Sequence, residues 1–311
     1  MKSTAALKQI LVAVQPSVMA ECSLQRACQM ARAHRASLCI LHVQPEEMPP
    51  FFNAMPPEER QDIQDQLEQD SLQALKSLSQ SWRQGIPDVS HLVRHGRAAE
   101  QILSVSHKIS ADLIVVGLNE QGWSKARFLG STTDHVARHA KQPVLLTKRP
   151  GAPYQGVITA VDLSPASLVI LQSSMDICPK AQHRVVHADN LPLVFEQTLI
   201  RSGTSKAELQ DYQRIRLQNA RSRLKAIIRD LPAPEGRRPG LKILQGDTEE
   251  LLISLSRNGR VDLIAVGLRR QAALKEALLG SIARSLLRQA ACDVLLIPYP
   301  SRSRTGSQRA G

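Results

Sequence analysis

Short apolar runs alternate with amphipathic stretches along the whole chain. Gln9–Val14, Ser37–Val43, Leu113–Val116 and Val144–Thr147 are rich in Val, Ile and Leu with almost no polar alternation. Runs of this kind read as strands buried on both faces. His91–Arg94 is a shorter strand of the same set. Between them the 3.6-residue pattern predicts helices from about Met19 to His34, with Ser17 a candidate N-cap, and from about Glu58 to Trp82. A Pro-rich loop over Glu46–Pro57 precedes the second helix, and Gly96 turns the chain into a third that runs through about His107.

The order then repeats. Strands are expected at Val157–Val161, Arg184–Ala188, Leu241–Leu244, Leu263–Val266 and Val294–Ile297. Helices are expected at Ala166–Ile177, Lys206–Arg229, Glu249–Ser256 and from Ser281 to about Arg288, with a loop between Ala188 and Lys206. Residue identities repeat as well: Gly96, Glu100, Asp112, Leu113, Ile114, Gly117, Gly130, Ser131, Arg138, Ala140 and Leu145 recur as the same type 150 positions later. An internal duplication accounts for this. It divides the chain into domains at 1–150 and 151–300, with a linker near Pro150-Gly151 and a basic tail, 301–311, expected to be disordered.

Five apolar strands alternating with helices in each half give an α/β class. The architecture is two tandem flavodoxin/Rossmann-like domains, each an open five-stranded parallel sheet with helices on both faces. Right-handed crossovers then force a reversal of strand order, and ligands bind outside the strands' carboxyl ends at that reversal. With the first and fourth strands as central neighbours, Asp162 and Gly267 face one crevice.

Composition narrows the classes. At 311 residues, 42% hydrophobic and 22% charged, the chain has the make-up of a globular protein with room for two domains. No apolar run approaches the roughly 20 residues of a membrane helix, so a soluble, cytoplasmic protein without membrane contact is expected. The five cysteines, Cys22, Cys28, Cys39, Cys178 and Cys292, are unclustered and sit mostly in apolar runs, as reduced buried thiols do. The net charge of +12 raises the case for a polyanionic partner.

Candidate chemistry concentrates after the fourth strand of each half. DLIVVG from Asp112 leads to Gly130-Ser131, and DLIAVG from Asp262 leads to Gly280-Ser281. A strand, a glycine turn and a Gly-Ser helix start can cradle an anion, because glycine admits close backbone approach and free N–H groups point at the ligand. Ser131 and Ser281 can also cap the helices. Gly117-x4-Gly122-Trp123-Ser124 approaches a P-loop, but tryptophan stands where the lysine is needed. His91/His95 and His135/His139 are spaced four apart without a third metal ligand. Glu58-Glu59 and Glu249-Glu250 read as helix-start charges, and no nucleophile–base pair stands out, so a non-enzyme is expected. The basic stretch Arg201–Arg238 reads as a solvated helix whose aliphatic face, Leu224, Ile227, Ile228 and Leu231, seats on the sheet. With nine aromatics in the chain, base stacking is a poor binding mode and nucleic acid is not the expected partner.

In order, the strand-plus-aspartate VITAVDLSP, the spacing Gly-x2-Gly-x9-Gly-Ser/Thr, the helix and the Pro-Val-Leu strand resemble the universal stress protein family in its tandem-domain form. The resemblance implies that the early aspartate and the end of the second strand hold a nucleoside, while the glycine loop and Gly-Ser start hold phosphates. Carried onto the second half, it assigns Asp162, Ala188, Val266, Gly267, Gly280, Ser281 and Ile282, with Arg270 in place of the middle glycine. Carried onto the first half, it assigns Val43, Val116, Gly117, Gly130, Ser131 and Thr132, but Gln15 replaces the aspartate and Glu120 the middle glycine. A carboxylate in a phosphate loop repels its ligand, whereas Arg270 suits it. The implied ligand is ATP or a related adenine nucleotide in the second domain, with Mg2+ entering only with the nucleotide. The implied role is stress-response regulation through contacts with a regulatory protein. The two domains are expected to pair within the chain as a pseudo-dimer, and a homodimer of the whole is left open. A charge-driven nucleic-acid or polyanion binder and a weak ATPase are the competing classes.

Overall fold

The computed structural model describes residues 6–16, 21–45, 52, 54–118, 130–148, 150–191, 193–232, 238–270 and 279–300. The candidate cap Ser17, the start of the first helix at Met19, most of the Pro-rich loop, Glu120 and the P-loop-like segment, and the basic tail lie outside them. The described residues fall into two compact units, one within Ser3–Pro153 and one comprising Tyr154–Leu268 and Gly280–Tyr299.

The first unit runs β1 (Gln9–Ala13), α1 (Glu21–His34), β2 (Ser37–Gln44), α2 (Pro57–Ser79), β3 (Val89–His95), α3 (Ala98–Lys108), β4 (Leu113–Gly117), α4 (Ser131–His139) and β5 (Val144–Thr147). Its strands are ordered β3-β2-β1-β4-β5. Leu11 lies opposite Cys39 on one side and Ile114 on the other, both in parallel register. Ile10, Leu11, Leu38, Ile40, Leu113, Ile114, Leu145 and Leu146 are fully buried, as continuous apolar strands require. Each such side chain contributes about 1.5–3 kcal/mol relative to exposure.

The second unit runs β6 (Gly156–Ala160), α5 (Ala166–Ile177), β7 (Gln182–Asp189), α6 (Leu193–Arg201), α7 (Lys206–Arg229), β8 (Gly240–Gln245), α8 (Thr248–Ser256), β9 (Leu263–Arg270), α9 (Ser281–Gln289) and β10 (Asp293–Pro300). The order β8-β7-β6-β9-β10 repeats that of the first unit. The register repeats too, Ile158 facing Ile264 where Leu11 faces Ile114. From β6 the chain moves one way through α5 to β7, and from β8 it crosses back through α8 to β9. Right-handed crossovers therefore put α5 and α7, which pack together, on one face and α8 and α9 on the other. Val161, Leu171, Val185, Leu224 and Leu231 form a core cluster under α7, with Ile227 and Ile228 against it, so the aliphatic face of α7 seats as its spacing predicts.

The duplicated aspartates hold the sheets together at their amino edge. Asp112 Oδ2 accepts the N–H groups of Lys8 and Gln9 at 2.7 and 3.0 Å. Asp262 Oδ2 accepts those of Gln155 and Gly156 at 2.8 and 2.9 Å. In each unit the residue before the fourth strand thus supplies an acceptor for the N–H groups of the first strand's opening residue and the residue before it. The most conspicuous repeat in the sequence is scaffold, at the end of the sheet away from any ligand crevice.

One expectation fails outright. The segment between β7 and α7, expected as a loop, contains α6. Its Val194 and Phe195 face water, so no apolar stripe marks it as a core helix. The capping box at the start of α7, Ser205 with Glu208, ends the connection. None of the five cysteines is in a disulfide and four are buried; burial pushes the Cys28 thiol up to about 12, against the pull of Arg32, which leaves it unreactive.

Candidate functional site

In the second unit β6 and β9 are hydrogen-bonded neighbours, and the chain leaves them in opposite directions. Their carboxyl ends therefore flank the reversal point where open α/β sheets take ligands. Asp162 follows β6 there, Val266 and Gly267 lie towards the end of β9, and Ala188 sits near the end of β7, beside β6. The structure thus brings these four sequence-assigned residues to three adjacent strand ends. His187 Nδ1 bonds the carbonyl of Val161 at 2.9 Å and fastens β7 to the residue before Asp162. His42 makes the matching bond to Val14 at 3.1 Å in the first unit.

Asp162 is exposed and already works as a turn cap. Its Oδ1 accepts the Ser164 N–H at 2.9 Å and the Ser167 hydroxyl at 3.2 Å. Partial burial pushes its carboxyl up, but hydrogen bonds from Ser164 and Ser167 outweigh that and hold it below the usual carboxylate range. Leu163, between them, has a φ of 62°, a conformation a leucine adopts only when its surroundings enforce it. The enforcement is visible: its side chain packs on the core cluster and its carbonyl accepts Arg223 Nη2 at 3.1 Å.

The two glycines of the second half differ physically. A Cβ on Gly267 would lie 2.3 Å from Ile170 Cδ1 and 2.7 Å from Tyr299 Cε1, so any side chain there must displace both neighbours and packing favours glycine. Gly280 has φ −60° and ψ 165°, open to any residue, and a Cβ there meets no atom of the described residues within 4 Å. Neither backbone strain nor packing against the described residues requires a glycine at 280. It is the N-cap of α9, with no side-chain cap bond, and the Arg284 N–H bonds its carbonyl at 3.1 Å. Asp293, just beyond the far end of α9, bonds the Asp262 carbonyl at the amino edge at 3.2 Å. The start of α9 therefore lies towards the carboxyl edge. Ser281 is the first helical residue and Ile282 the second, so Ser281 is not the cap its type suggested. The same holds of Ser131 behind Gly130: the extended glycine already occupies the cap position and its carbonyl opens the helix. Arg270 ends β9 in its backbone; its side chain lies outside the described residues.

In the first unit Val43 is near the end of β2, Val116 and Gly117 end β4, and Gly130, Ser131 and Thr132 open α4. The topology matches, but Gln15 occupies the position after β1, so no carboxylate stands there. A Cβ on Gly130, as on Gly280, would meet no atom of the described residues within 4 Å. His91 bonds Ser79 Oγ at 2.7 Å, and the rings of His135 and His139 stack at 3.9 Å on one face of α4.

Two side chains escaped the sequence reading. Arg216 forms an ion pair with Asp189 at 2.6 Å, the aspartate side chain being 10% exposed, and Arg223 reaches the loop after Asp162. Both come from α7, whose cations read as uniformly solvated. The spacing of seven that puts Arg216 and Arg223 on one side of the helix is a visible signal, but their targets are distant in sequence.

Known proteins carry the same architecture. "Universal stress protein in QAH/OAS sulfhydrylase 3'region" of Thermus aquaticus is 31% identical over 141 residues, which is 45% of this chain and 98% of that one. A functionally unknown protein, PA1789 from Pseudomonas aeruginosa PAO1, superposes with a TM-score of 0.65 at 18% identity, covering 96% of this chain and 95% of its own. A universal stress protein from Archaeoglobus fulgidus DSM 4304 gives 0.62 at 15% identity over 96% and 99%. At these identities the superpositions establish the fold, two tandem α/β domains. The universal stress protein family model matches twice, over residues 6–148 and 153–298, and the chain belongs to that family.

Proposed function

We propose that the second domain binds ATP or a related adenine nucleotide, and that the bound state regulates contacts with a protein partner in a stress response. The observation that carries this reading is Gly280: a glycine that neither conformation nor packing against the described residues requires, at a helix start without a side-chain cap, on the carboxyl side of the strand reversal where Asp162 follows β6. Free N–H groups at the start of α9 suit phosphate oxygens, and the open space admits them closely. Asp162 Oδ1 keeps the turn by accepting from Ser164 and Ser167, and the exposed carboxylate would meet the ribose hydroxyls through its other oxygen. Ala188, Val266 and Ile282 are the apolar contacts for the nucleoside and the phosphate end. Mg2+ would enter with the nucleotide and share its charge with the phosphates.

The first domain takes the scaffold role. Gln15 lacks the carboxylate for the ribose and Glu120 adds a repulsive charge to the phosphate loop. The domain pair is therefore a one-site device. A ligand held in one domain shifts the protein only through its different affinity for two states, so the partner must distinguish the loaded from the empty second domain. No nucleophile or base is assigned, and the reading is of a sensor rather than a catalyst.

Thermal unfolding with and without Mg-ATP tests this. A binder of the native state raises the midpoint with ligand concentration, adding about 2.7 kcal/mol of stability at a hundredfold excess over Kd. A midpoint indifferent to ATP, ADP and AMP defeats the reading. If binding to any polyanion instead raises it and salt abolishes the effect, charge alone is the function.

A further inference from the structure

Eight large hydrophobic side chains are exposed among the described residues, and seven of them fall on two helical surfaces. Ile63 and Leu67 stand one turn apart on the outer side of α2, in the first unit. Val194, Phe195, Ile200, Tyr212 and Ile215 stand on α6 and α7, which pack together in the second unit. Val194 is 75% exposed and Ile215 52%. Single exposed hydrophobes call for no explanation, but a cluster on a helical hairpin does.

The two surfaces are opposite in charge. α2 carries six carboxylates against Arg60 and Lys76. Its buried residues are Leu75 and Ser79, and by helical spacing Glu59, Asp62, Ile63 and Asp70 lie on the side away from them. α7 carries seven cations against Glu208 and Asp211. Arg214, Arg221 and Lys225 follow one another at intervals of seven and four, forming a single exposed stripe beside Ile215. Each surface thus offers an apolar contact with charges of mainly one sign alongside, and the signs are opposite across the pair.

We propose that the chain associates with a second copy of itself by docking the acidic outer face of α2 in one copy onto the basic α6–α7 hairpin of the other. The contact is heterologous, using different patches on the two copies. Ile63 and Leu67 meet Ile215 and its apolar neighbours, while Glu59, Asp62 and Asp70 align with Arg214, Arg221 and Lys225. Complementary charge sets register and speeds encounter, and the apolar centre holds the docked state. The long helix after the second strand is acidic in the first unit and basic in the second, so at this position the two halves are complementary rather than alike. A nucleic acid would use the cations of α7 but leaves its exposed apolar residues without a partner, and it has no use for α2.

Sedimentation velocity across the micromolar range, on the full chain, tests the contact. The wild type associates with rising concentration, and association weakens between about 0.1 M and about 1 M salt, as the screening length shortens from ~10 to ~3 Å. The triple variant Glu59→Lys/Asp62→Lys/Asp70→Lys and the triple variant Arg214→Glu/Arg221→Glu/Lys225→Glu each self-associate at least about tenfold more weakly, because like charges then face each other. Mixed in equal amounts, the two variants associate again, since each supplies the face that the other needs. That rescue also shows both variants folded. A wild type that stays monomeric throughout, association that survives either reversal, or reversed variants that fail to associate on mixing would each overturn the proposal.

Discussion

Gly267 lies directly beneath Ile170: a Cβ on the glycine would sit 2.3 Å from the isoleucine's Cδ1, with Tyr299 closing the other side at 2.7 Å. The motif that links Gly267 to Gly280 therefore joins two residues with unrelated physical reasons. Gly267→Ala overpacks a finished contact and is expected to lower stability by about 1–3 kcal/mol. Chemical denaturation of the variant checks this, and a loss within error of zero would mean that Ile170 and Tyr299 yield freely.

Asp262 and Asp112 carry the opposite expectation for ligand and fold. Replacing Asp262 with Ala removes the acceptor of the Gln155 and Gly156 amides. Water reaches part of this edge, so the expected loss is near the low end of the usual penalty, about 1 kcal/mol. Nucleotide affinity, measured on the same variant, is expected to stay unchanged, because the aspartate lies at the amino edge of the sheet.

Much of the fold was legible because its causes are local. Runs such as Leu113–Val116 can only be strands buried on both sides, and identity at 150-residue spacing fixes the repeat without any structure. The reversal between β6 and β9 follows from chain direction and crossover hand. What was illegible depended on distant atoms. Nothing near Gly267 or Gly280 in the sequence reveals that Ile170 crowds one while no described residue crowds the other. Arg216 looks like any solvated arginine until Asp189 meets it. α6 hides because Val194 and Phe195 point outward and leave it no buried stripe.

Acid should weaken the fold through half-buried histidines. His183 Nε2 donates to the Cys178 carbonyl at 2.8 Å, while its Nδ1 is buried with no hydrogen-bond partner. Burial lowers its pKa and the carbonyl bond offsets this only in part; burial likewise lowers His42 and His91. The unfolded chain then takes up protons first, at about pH 6.5, so stability is full above that value and is lost as pH falls towards the lower folded pKa values. Melting temperatures between neutral and mildly acidic pH are expected to fall. His183→Gln, which keeps a donor for Cys178, is expected to flatten part of that fall. A variant with an unchanged pH slope would place the titrating group elsewhere.

Asp162→Asn separates the two jobs of this side chain. An amide oxygen still accepts from Ser164 and Ser167, so the turn and the strained Leu163 should persist and the variant should melt near the wild type. The charge-assisted bond to a ribose hydroxyl is lost, which is expected to weaken ATP binding by about tenfold, a hydrogen bond to a charged group being worth roughly 1.5–3 kcal/mol. The carboxylate's lowered pKa adds an acid signature: whatever stability it lends is present above about pH 3.8 and is lost as pH falls through its folded value, and the amide variant should lack that component.

Titration calorimetry of Mg-ATP into the wild type and Gly280→Asp tests the central claim most directly. Aspartate is a strong N-cap and Gly280 has room for it, so the variant should be at least as stable as the wild type. Its carboxylate, however, occupies the space and the N–H groups that phosphate would use. The account predicts one nucleotide per wild-type chain and no binding heat in Gly280→Asp. A wild type that gives no heat, or a variant that binds with unchanged affinity, would contradict it.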